Sequence, residues 1–352
     1  MTAGPSWPTI LTALLSGHDL TPLQTTWAWR HIMNGEASPA RLAAFVVALR
    51  AKGETVGELA AISEEMLAHA RPITVPGPTL DIVGTGGDGS HSVNISTMAA
   101  LVCAGAGATI VKHGNRAASS SSGTADVLEE LGVALDLGPE QVAEVARTSG
   151  MTFCFAQVFH PAMRHAAGPR RDLGIPTVFN ILGPLTNPAR PTHAAIGVAD
   201  QAFAPLMAGV FASRGRDTAV LRGDDGLDEL TISTTSKVWW VRDGAVREYR
   251  VDPDELGVTR SPLSALRGGN PAQNAQVVRE VLAGRQGPVR DAVVLNAGLA
   301  LAIMSPDSGH EHRDFVHDLR QGMDRAEESI DTGSAARALD RWRSATRACR
   351  GR

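Results

Sequence analysis

Hydrophobic positions in residues 1–70 recur at the spacing of amphipathic helices. One such face, at positions i, i+3, i+4 and i+7, consists of Leu42, Phe45, Val46 and Leu49. Thr21 and Ser38 each stand before a proline, which is the arrangement of an N-cap with proline in the first helical turn. Thr55 and Glu58 have the spacing of a capping box. The pattern predicts a small all-helical domain.

The pattern changes after residues 71–80, where three prolines form a stiff connector and a candidate hinge. Short β-rich runs then alternate with helical segments: Leu80–Val83, Thr109–Val111, Thr152–Phe155, Ala194–Val198 and Thr218–Leu221. Two later runs flank Asp243-Gly244, a turn signal for a β-hairpin. This alternation predicts a larger α/β domain with a central, mainly parallel sheet flanked by helices. Residues 341–352 are expected to be a fraying helix end.

Composition narrows the class of protein. Hydrophobic residues make up 43% and charged residues 20% of the chain, as in an ordinary globular protein. The net charge of −4 gives no general attraction to nucleic acid or anionic membranes, so a phosphorylated ligand has to be held by local donors. The three cysteines form no CxxC pair, and the N-terminus lacks the pattern of a secretory signal. We therefore expect a cytoplasmic protein without a zinc site or disulfide framework.

A glycine loop is the first candidate site. The run DIVGTGGDGSHSVNIST, from Asp81 to Thr97, leads from a strand through glycines into a helix. Glycines let the backbone approach an oxyanion, and free N–H groups at the following helix start are expected to bind phosphate. The spacing fits neither a Walker A loop nor GxGxxG. A simple glycine turn capped by Asn94 explains the run equally well when it is taken alone.

A polar, cationic stretch, KHGNRAASSSSGT, runs from Lys112 to Thr124 directly after the strand Thr109–Val111. It should lie at the same carboxyl edge of the sheet as the glycine loop, where ligands of open α/β sheets bind. Cations, an imidazole, a carboxamide and hydroxyls suit a polyanionic sugar phosphate. A Lys-His pair or a serine run in isolation is more often plain surface.

An acidic loop, GDDGLDEL, follows the strand Thr218–Leu221 and carries Asp228 and Glu229. Carboxylates crowded on one loop repel each other unless a cation relieves them, and Mg²⁺ favours one or two carboxylates with phosphate oxygens. A solvated acidic turn is the alternative, and it is the better explanation for this loop alone.

An arginine-bearing segment runs from Phe159 to Pro188 and includes Arg170-Arg171 and the turns of FNILGPLTNP. An arginine fork can hold a carboxylate through two hydrogen bonds. A helix with surface arginines is the alternative. Four such segments occur together in one chain. To dismiss them all, the ordinary explanation of each segment, as a turn or as plain surface, would have to hold at the same time.

Taken together, GTGGD, NIST, KHGNR, RRDLG, FNILGPLTNP and DGLDE resemble the anthranilate phosphoribosyltransferase family in order and spacing, over nearly the whole chain. The resemblance implies a helical domain at residues 1–76, to which residues 165–191 return. It implies an α/β domain at residues 77–164 and 192–352. It also implies homodimers that pair through the helical domain, with phosphoribosyl pyrophosphate and anthranilate as substrates and Mg²⁺ as the metal.

The resemblance further implies roles for individual residues. Those expected to contact phosphoribosyl pyrophosphate are Gly84, Gly87, Asp88, Ser92, Asn94, Ile95, Ser96, Thr97, Lys112, His113, Gly114, Asn115, Arg116, Ala117, Ala118, Ser119, Ser120 and Thr124. The implied Mg²⁺ ligands are Ser96, Asp228 and Glu229. Asn115 and Arg170 are expected to contact anthranilate, Gly84 borders it, and His113 lies nearby. Lys112, His113, Asn115 and Arg170 are the expected catalytic groups, acting by position and charge.

Three positions depart from the commonest pattern of that family. Thr124 replaces a frequent serine without losing the hydroxyl, Ser121 replaces a frequent basic residue, and Pro176 replaces a frequent arginine. Two other functions remain open at this point. A pyrimidine nucleoside phosphorylase shares the architecture but needs no metal-bound pyrophosphate, and a non-catalytic nucleic-acid-binding relative should have a basic surface.

Overall fold

The computed structural model describes residues 4–116, 122–305 and 311–351. The predicted contacts at Ala117, Ala118, Ser119 and Ser120, and the departure at Ser121, lie outside the described residues. Within these ranges no helix has both the length and the apolar character needed to cross a membrane.

Four helices open the fold: α1 (Trp7–Leu15), α2 (Pro22–Met33), α3 (Pro39–Lys52) and α4 (Val56–Ala68). Their starts confirm the predicted caps. The hydroxyls of Thr21 and Ser38 accept hydrogen bonds from backbone amides in the first turns of α2 and α3. Thr55 and Glu58 form the predicted capping box of α4. Each cap satisfies an N–H group that the helix itself leaves unpaired.

One seven-stranded sheet forms the centre of the rest, in the order β3-β2-β1-β4-β5-β6-β7. Its strands are β1 (Leu80–Gly84), β2 (Ile110–Gly114), β3 (Met151–Phe155), β4 (His193–Gly197), β5 (Asp217–Gly223), β6 (Ser236–Arg242) and β7 (Ala245–Val251). The first five pair in parallel, and the predicted hairpin β6–β7 adds two antiparallel strands at one edge. The predicted fold class is confirmed.

Helices cover both faces of this sheet. The helices that follow α4 are α5 (Ile95–Gly105), α6 (Thr124–Glu130), α7 (Pro139–Ser149), α8 (Ala156–Phe159), α9 (Arg164–Leu173), α10 (Leu182–Leu185), α11 (Phe203–Ser213), α12 (Pro271–Leu282), α13 (Pro288–Ile303), α14 (His312–Asp331) and α15 (Ser334–Arg350). The expectation of a fraying C-terminal helix is wrong. Helix α15 continues to Arg350 because Trp342 and Cys349 are buried against the core.

Two hydrophobic cores lie on opposite faces of the sheet. The first joins α5, α13, α14 and α15 to strands β1, β2 and β3. The second joins α1 to α4 with residues 166–185, helix α11 and the other face of β4 and β5. Helix α9 packs against α2 and α3, although it follows them by more than a hundred residues in the chain. The fold thus brings the arginine-bearing segment next to the N-terminal helices.

Candidate active site

The carboxyl ends of β1, β2, β4 and β5 meet at one edge of the sheet because these strands are parallel. The acidic loop after β5 reaches back across this edge to the glycine loop after β1. The amide of Gly86 donates to Oδ2 of Asp228 over 2.7 Å. A Cβ built on Gly84 would lie 2.9 Å from Cγ of Asp228, so only glycine permits this approach. Two stretches 142 residues apart therefore form one site.

The glycine loop presents unpaired backbone donors. Gly86, Gly87 and Gly89 all have positive φ, between 70° and 83°, and all three are exposed. Asp88 accepts from the amide and hydroxyl of Ser90, which folds the loop back on itself. Within the described part of the chain, the amides of residues 87–89 donate to no protein acceptor. Successive free N–H groups of this kind form a concavity suited to an anion.

The start of α5 differs from the sequence-based expectation. Its N–H groups are not free for phosphate, because those of Ile95 and Thr97 bond to the carbonyls of Val93 and Asn94. The Ser96 amide acts to lower the pKa of the nearby Glu229 carboxyl group. Asn94 is the N-cap residue, yet its side chain makes no capping bond to the helix. An anion at this edge must therefore use the loop amides, side chains such as Ser92, or the buried hydroxyl of Thr97, which lacks a partner among the described residues.

Lys112 is a fully buried cation at the centre of the site. Its Nζ donates to the carbonyl of Ile82 and, over 3.2 Å, to Oγ of Ser96. Burial lowers the pKa of Lys112, and the nearby carboxylates of Asp81, Glu229 and Asp228 oppose that shift. A buried ammonium surrounded by acidic groups is electrostatically strong because little water screens it.

Two carboxylates of the acidic loop face this cation. Burial, reinforced by repulsion from Asp88, raises the pKa of Asp228 to about 7. Burial and the charge of Asp228 raise the pKa of Glu229 well above its ordinary value, although Lys112 acts in the opposite direction. Crowded acids that resist ionisation are the arrangement that a bound cation would relieve.

The other two acids of the same loop are structural. Asp225 accepts from the hydroxyl of Thr231 over 2.6 Å and from Ser233. Asp224 pairs with Arg250 and accepts from Thr235. These contacts direct both carboxylates toward their own loop and the outer hairpin, so only the second acidic pair belongs to the candidate site.

A histidine pair lies beside Lys112. Nδ1 of His113 donates to the carbonyl of Gly183 over 2.9 Å, which leaves Nε2 as an acceptor. This Nε2 atom is buried and has no partner among the described residues. His160 stands with its ring centroid 5.0 Å away, and its own Nε2 lies 2.9 Å from the carbonyl of Thr186. Burial, with smaller contributions from His160 and Lys112, lowers the pKa of His113 to about 3, so the ring is neutral at pH 7.

His160 should make stability depend on pH in a way that a variant can isolate. Burial lowers its pKa from 6.5 to about 4, so the folded state resists protonation. Stability is therefore complete above the unfolded pKa and is lost as the pH falls toward the folded pKa. His160→Gln retains an N–H donor but does not titrate. We expect it to lose about 2 kcal/mol less unfolding free energy than the wild type between pH 7 and pH 5. Urea unfolding at both pH values measures this, and parallel losses would contradict it.

The other described residues of the cationic stretch lie outside the group formed by Lys112 and His113. Asn115 is exposed at the end of β2, and its Oδ1 accepts from the amide of Arg116. The guanidinium of Arg116 pairs with Asp126 and Glu129 of α6, which satisfies its charge within the protein. Thr124 begins α6 beside Gly114. The structure thus brings Lys112 and His113 into the site and directs Arg116 toward helix α6.

Arg170 lies on the side of the N-terminal helices. It is half-buried on α9, and its guanidinium carbon lies 5.0 Å from the ring centroid of Phe179. Burial lowers its pKa, and no carboxylate among the described residues pairs with it. The next residue, Arg171, is exposed and pairs with Asp172. An unpaired, partly desolvated arginine favours an anionic ligand, whereas its neighbour is ordinary surface.

Two family models match the chain. Residues 8–70 match the helical bundle domain of a glycosyl transferase family, and residues 76–336 match the a/b domain of a glycosyl transferase family. A protein named anthranilate phosphoribosyltransferase from Nocardioides sp. is 60% identical over 341 residues, covering 97% of this chain and 99% of that protein. A protein of the same name from Thermobifida fusca is 56% identical over 337 residues, which cover 96% of each chain. The chain belongs to the anthranilate phosphoribosyltransferase family. The predicted family and the predicted class of enzyme, a transferase, are confirmed.

Solved anthranilate phosphoribosyltransferases have the same fold. The enzyme from Thermus thermophilus superposes with a TM-score of 0.88 at 42% identity, covering 96% of this chain and 99% of that one. The enzyme from Saccharomyces cerevisiae in complex with PRPP and Mg gives a TM-score of 0.87 at 28% identity, with 97% and 98% covered. This likeness extends over both the helical and the α/β parts of the chain.

Two buried residues that support the site, Asn296 and Asn187, were not predicted from the sequence of this member of the anthranilate phosphoribosyltransferase family. Oδ1 of Asn296 on α13 accepts from the Leu230 amide over 2.8 Å, and its Nδ2 donates to the Leu230 carbonyl over 2.9 Å. This fixes the backbone directly after Glu229. Asn187 donates to Asp81 over 2.8 Å, next to the Lys112 site. Asn187 lies within the FNILGPLTNP motif, but neither its partner nor the role of Asn296 could be predicted, because both act on residues far away in the chain.

Proposed function

We propose that this edge of the sheet transfers the phosphoribosyl group of 5-phosphoribosyl 1-pyrophosphate to the amine of anthranilate, releasing pyrophosphate, as a step of tryptophan biosynthesis. One observation carries the proposal: the glycine loop with its free amides, buried Lys112 and the crowded carboxylates of Asp228 and Glu229 lie near one another at the carboxyl edge of the sheet. The likeness to relatives that bear this enzyme's name supports it.

The donor set fits Mg²⁺. Asp228, Glu229 and the hydroxyl of Ser96 offer hard oxygen ligands; Asp228 contacts the Gly86 amide, and the Ser96 hydroxyl contacts Lys112, whose pKa both carboxylates act to raise. No group of three or more His, Cys, Asp or Glu side chains among the described residues forms a metal cluster, which suits a metal completed by substrate oxygens. When bound, Mg²⁺ supplies positive charge next to the leaving pyrophosphate.

The glycine loop and Lys112 bind the departing pyrophosphate in this mechanism. The free amides of residues 87–89 donate to its oxygens, and the Lys112 ammonium, held by the Ile82 carbonyl and the Ser96 hydroxyl, supplies positive charge. The bond from C1′ to the leaving oxygen breaks ahead of the new C–N bond. Stabilising negative charge on pyrophosphate is then the main catalytic task, and donors already in place do this without reorganising.

On the acceptor side of the reaction, positioning of anthranilate contributes more than proton transfer. Arg170 holds the anthranilate carboxylate through its unpaired guanidinium, and Asn115 offers an exposed carboxamide at the end of β2. The neutral His113, with its Nε2 acceptor buried beside Lys112, is assigned to orienting the acceptor side of the site and not to proton transfer. An aniline nitrogen is already nucleophilic as the neutral amine, so alignment with C1′ provides most of the effect.

Two further properties belong to this proposal. The chain forms homodimers through its helical domain, where Leu15 and Leu23 have 80% and 69% of their surface exposed. Sedimentation velocity measures this directly. A cytoplasmic location fits the three cysteines, which are all free and buried.

Arg170→Ala should weaken anthranilate binding selectively. Loss of a charged hydrogen-bonding partner should raise KM for anthranilate about ten- to a hundredfold and leave KM for phosphoribosyl pyrophosphate nearly unchanged. Steady-state kinetics with each substrate varied measures both. Arg171→Ala is the matched control, because that side chain is exposed beside Asp172. A change confined to the sugar phosphate would contradict the assignment.

The function itself is tested by the fluorescence of anthranilate. It should decrease with time when the protein, phosphoribosyl pyrophosphate and Mg²⁺ are all present. It should persist when any one of them is omitted or when EDTA is added. Persistent fluorescence in the complete mixture would refute the proposed reaction. Phosphorolysis of uridine or thymidine, assayed in parallel, would instead point to a nucleoside phosphorylase.

A further inference from the structure

A short backbone ladder holds the end of the glycine loop. The segment 266–269, between β7 and α12, runs antiparallel to residues 91–93, and Ser92 pairs with Arg267. The Val93 amide donates to the Leu266 carbonyl, and the Gly268 amide donates to the His91 carbonyl, each over 2.8 Å. The glycine loop is therefore attached to the region before α12, and not only to the sheet.

Asn274 on α12 closes this attachment. Its side chain is only 2% exposed. Oδ1 accepts from the Gly269 amide over 2.8 Å, and Nδ2 donates to Oδ1 of Asn94 over 2.9 Å. A Cβ on Gly268 would lie within 3.0 Å of the Asn274 carboxamide, so this fit requires glycine there. A buried carboxamide with its acceptor and a donor both engaged has one stable orientation.

Asn94 is unusual because of this contact. An asparagine at an N-cap normally accepts from an amide of the first helical turn. Here its Oδ1 accepts from Asn274, and its Nδ2 lies 3.3 Å from the carbonyl of Ser122. The side chain of Asn94 is thus aligned by groups outside its own helix. It spans the gap between the glycine loop and the segment that precedes α6.

We infer that Asn274 is a positioning residue for the phosphoribosyl pyrophosphate site and acts through Asn94. This inference rests on the proposed function. Without the Asn274 carboxamide, Oδ1 of Asn94 loses its donor, and only the Ser122 carbonyl still holds the Asn94 side chain. The Asn94 carboxamide can then leave the orientation in which it is offered to the substrate, and the ladder at residues 266–269 loses the acceptor for the Gly269 amide. In the proposed function anthranilate is held by Arg170 on α9, a helix that packs on α2 and α3, so its binding should not depend on Asn274.

The test is Asn274→Ala, compared with the wild type in the full-length protein. We expect Kd and KM for phosphoribosyl pyrophosphate, measured with Mg²⁺ by calorimetry and by kinetics, to rise about tenfold. KM for anthranilate should be unchanged. Gln273→Ala is the matched control: it removes the capping box that Gln273 makes with Asn270 on the same helix, but no contact to Asn94. It should lower the thermal midpoint without changing binding of phosphoribosyl pyrophosphate.

Asn274→Asp provides the second variant if the alanine protein does not fold. It has the same size and keeps an acceptor for Gly269, but it loses the donor to Asn94, so the same tenfold weakening is expected. Unchanged affinity for phosphoribosyl pyrophosphate in a folded variant, with only a lower thermal midpoint, would overturn the inference. Measurements that include the wild type distinguish failure of the proposed reaction from failure of the inference about Asn274. Absence of anthranilate turnover counts against the proposed reaction, whereas the ratio of calorimetric Kd values tests Asn274 alone.

Discussion

Asp228→Asn combined with Glu229→Gln should reduce turnover at least about a hundredfold while the fold survives. Both side chains keep their size, but they lose the charge that would hold Mg²⁺ beside the leaving pyrophosphate. The pKa of Asp228, raised to about 7 by burial and by Asp88, indicates that its ionised form is unfavourable in the folded protein. An acid whose pKa is raised on folding contributes stability at low pH, and this contribution is lost as the pH rises from 3.8 to about 7. The neutral variant should therefore be at least as stable as the wild type at pH 8.

The control for this double variant comes from the same loop. Asp224→Asn changes an acid that pairs with Arg250 and does not face the glycine loop, so its turnover should stay close to that of the wild type. Initial rates at several Mg²⁺ concentrations and a thermal melt complete the comparison. Near-normal turnover of the double variant, with the same dependence on Mg²⁺, would defeat the metal assignment.

Lys112→Met is the second substitution with a large expected effect. The ammonium is buried between Ile82 and Ser96, so no water or other side chain can replace it next to the pyrophosphate. We expect kcat to fall about a hundredfold or more. The thermal midpoint should also fall, because the buried Asp81 loses its neighbouring cation. Single-turnover measurements with saturating substrates separate the chemical step from binding.

Lys237→Met is the matched control for Lys112. That lysine pairs with Glu248 on the outer hairpin and lies opposite Arg222 of β5, not beside the glycine loop after β1. It should not affect turnover. If the folded Lys112→Met protein kept wild-type kcat, charge neutralisation by this lysine would play no part in the reaction. A pure loss of stability would then account for any decrease in yield of active enzyme.

The local rules of the sequence predicted much of the fold. Caps at Thr21, Ser38 and Thr55 place three helix starts because these signals depend only on residues within one turn. Short β-rich runs located the strands to within a few residues, and their alternation with helices implied parallel pairing. The C-terminal helix end was predicted, but its order was not, because that order depends on burial of Trp342, which composition does not reveal.

The sequence predicted which chemical groups meet at the candidate site, but not which of them already have partners within the protein. Motif order brought Lys112 and the second acidic pair to one strand edge, since parallel strands end together. The sequence could not distinguish Asp224 and Asp225, which are held by local hydroxyls and Arg250, from Asp228 and Glu229. Nor could it show that the first amides of α5 already have partners.

The sequence by itself determined which segments become helices and strands, where glycine must stand, and which chemical groups follow each strand. These are properties of neighbours along the chain. The tertiary structure alone decided which groups face one another: Asp228 against Gly86, Asn274 against Asn94, Arg116 toward α6 and Arg170 without a counter-ion among the described residues. The physical reason is that burial and side-chain direction depend on contacts between different elements, up to 180 positions apart for Asn274 and Asn94, which local propensity does not encode.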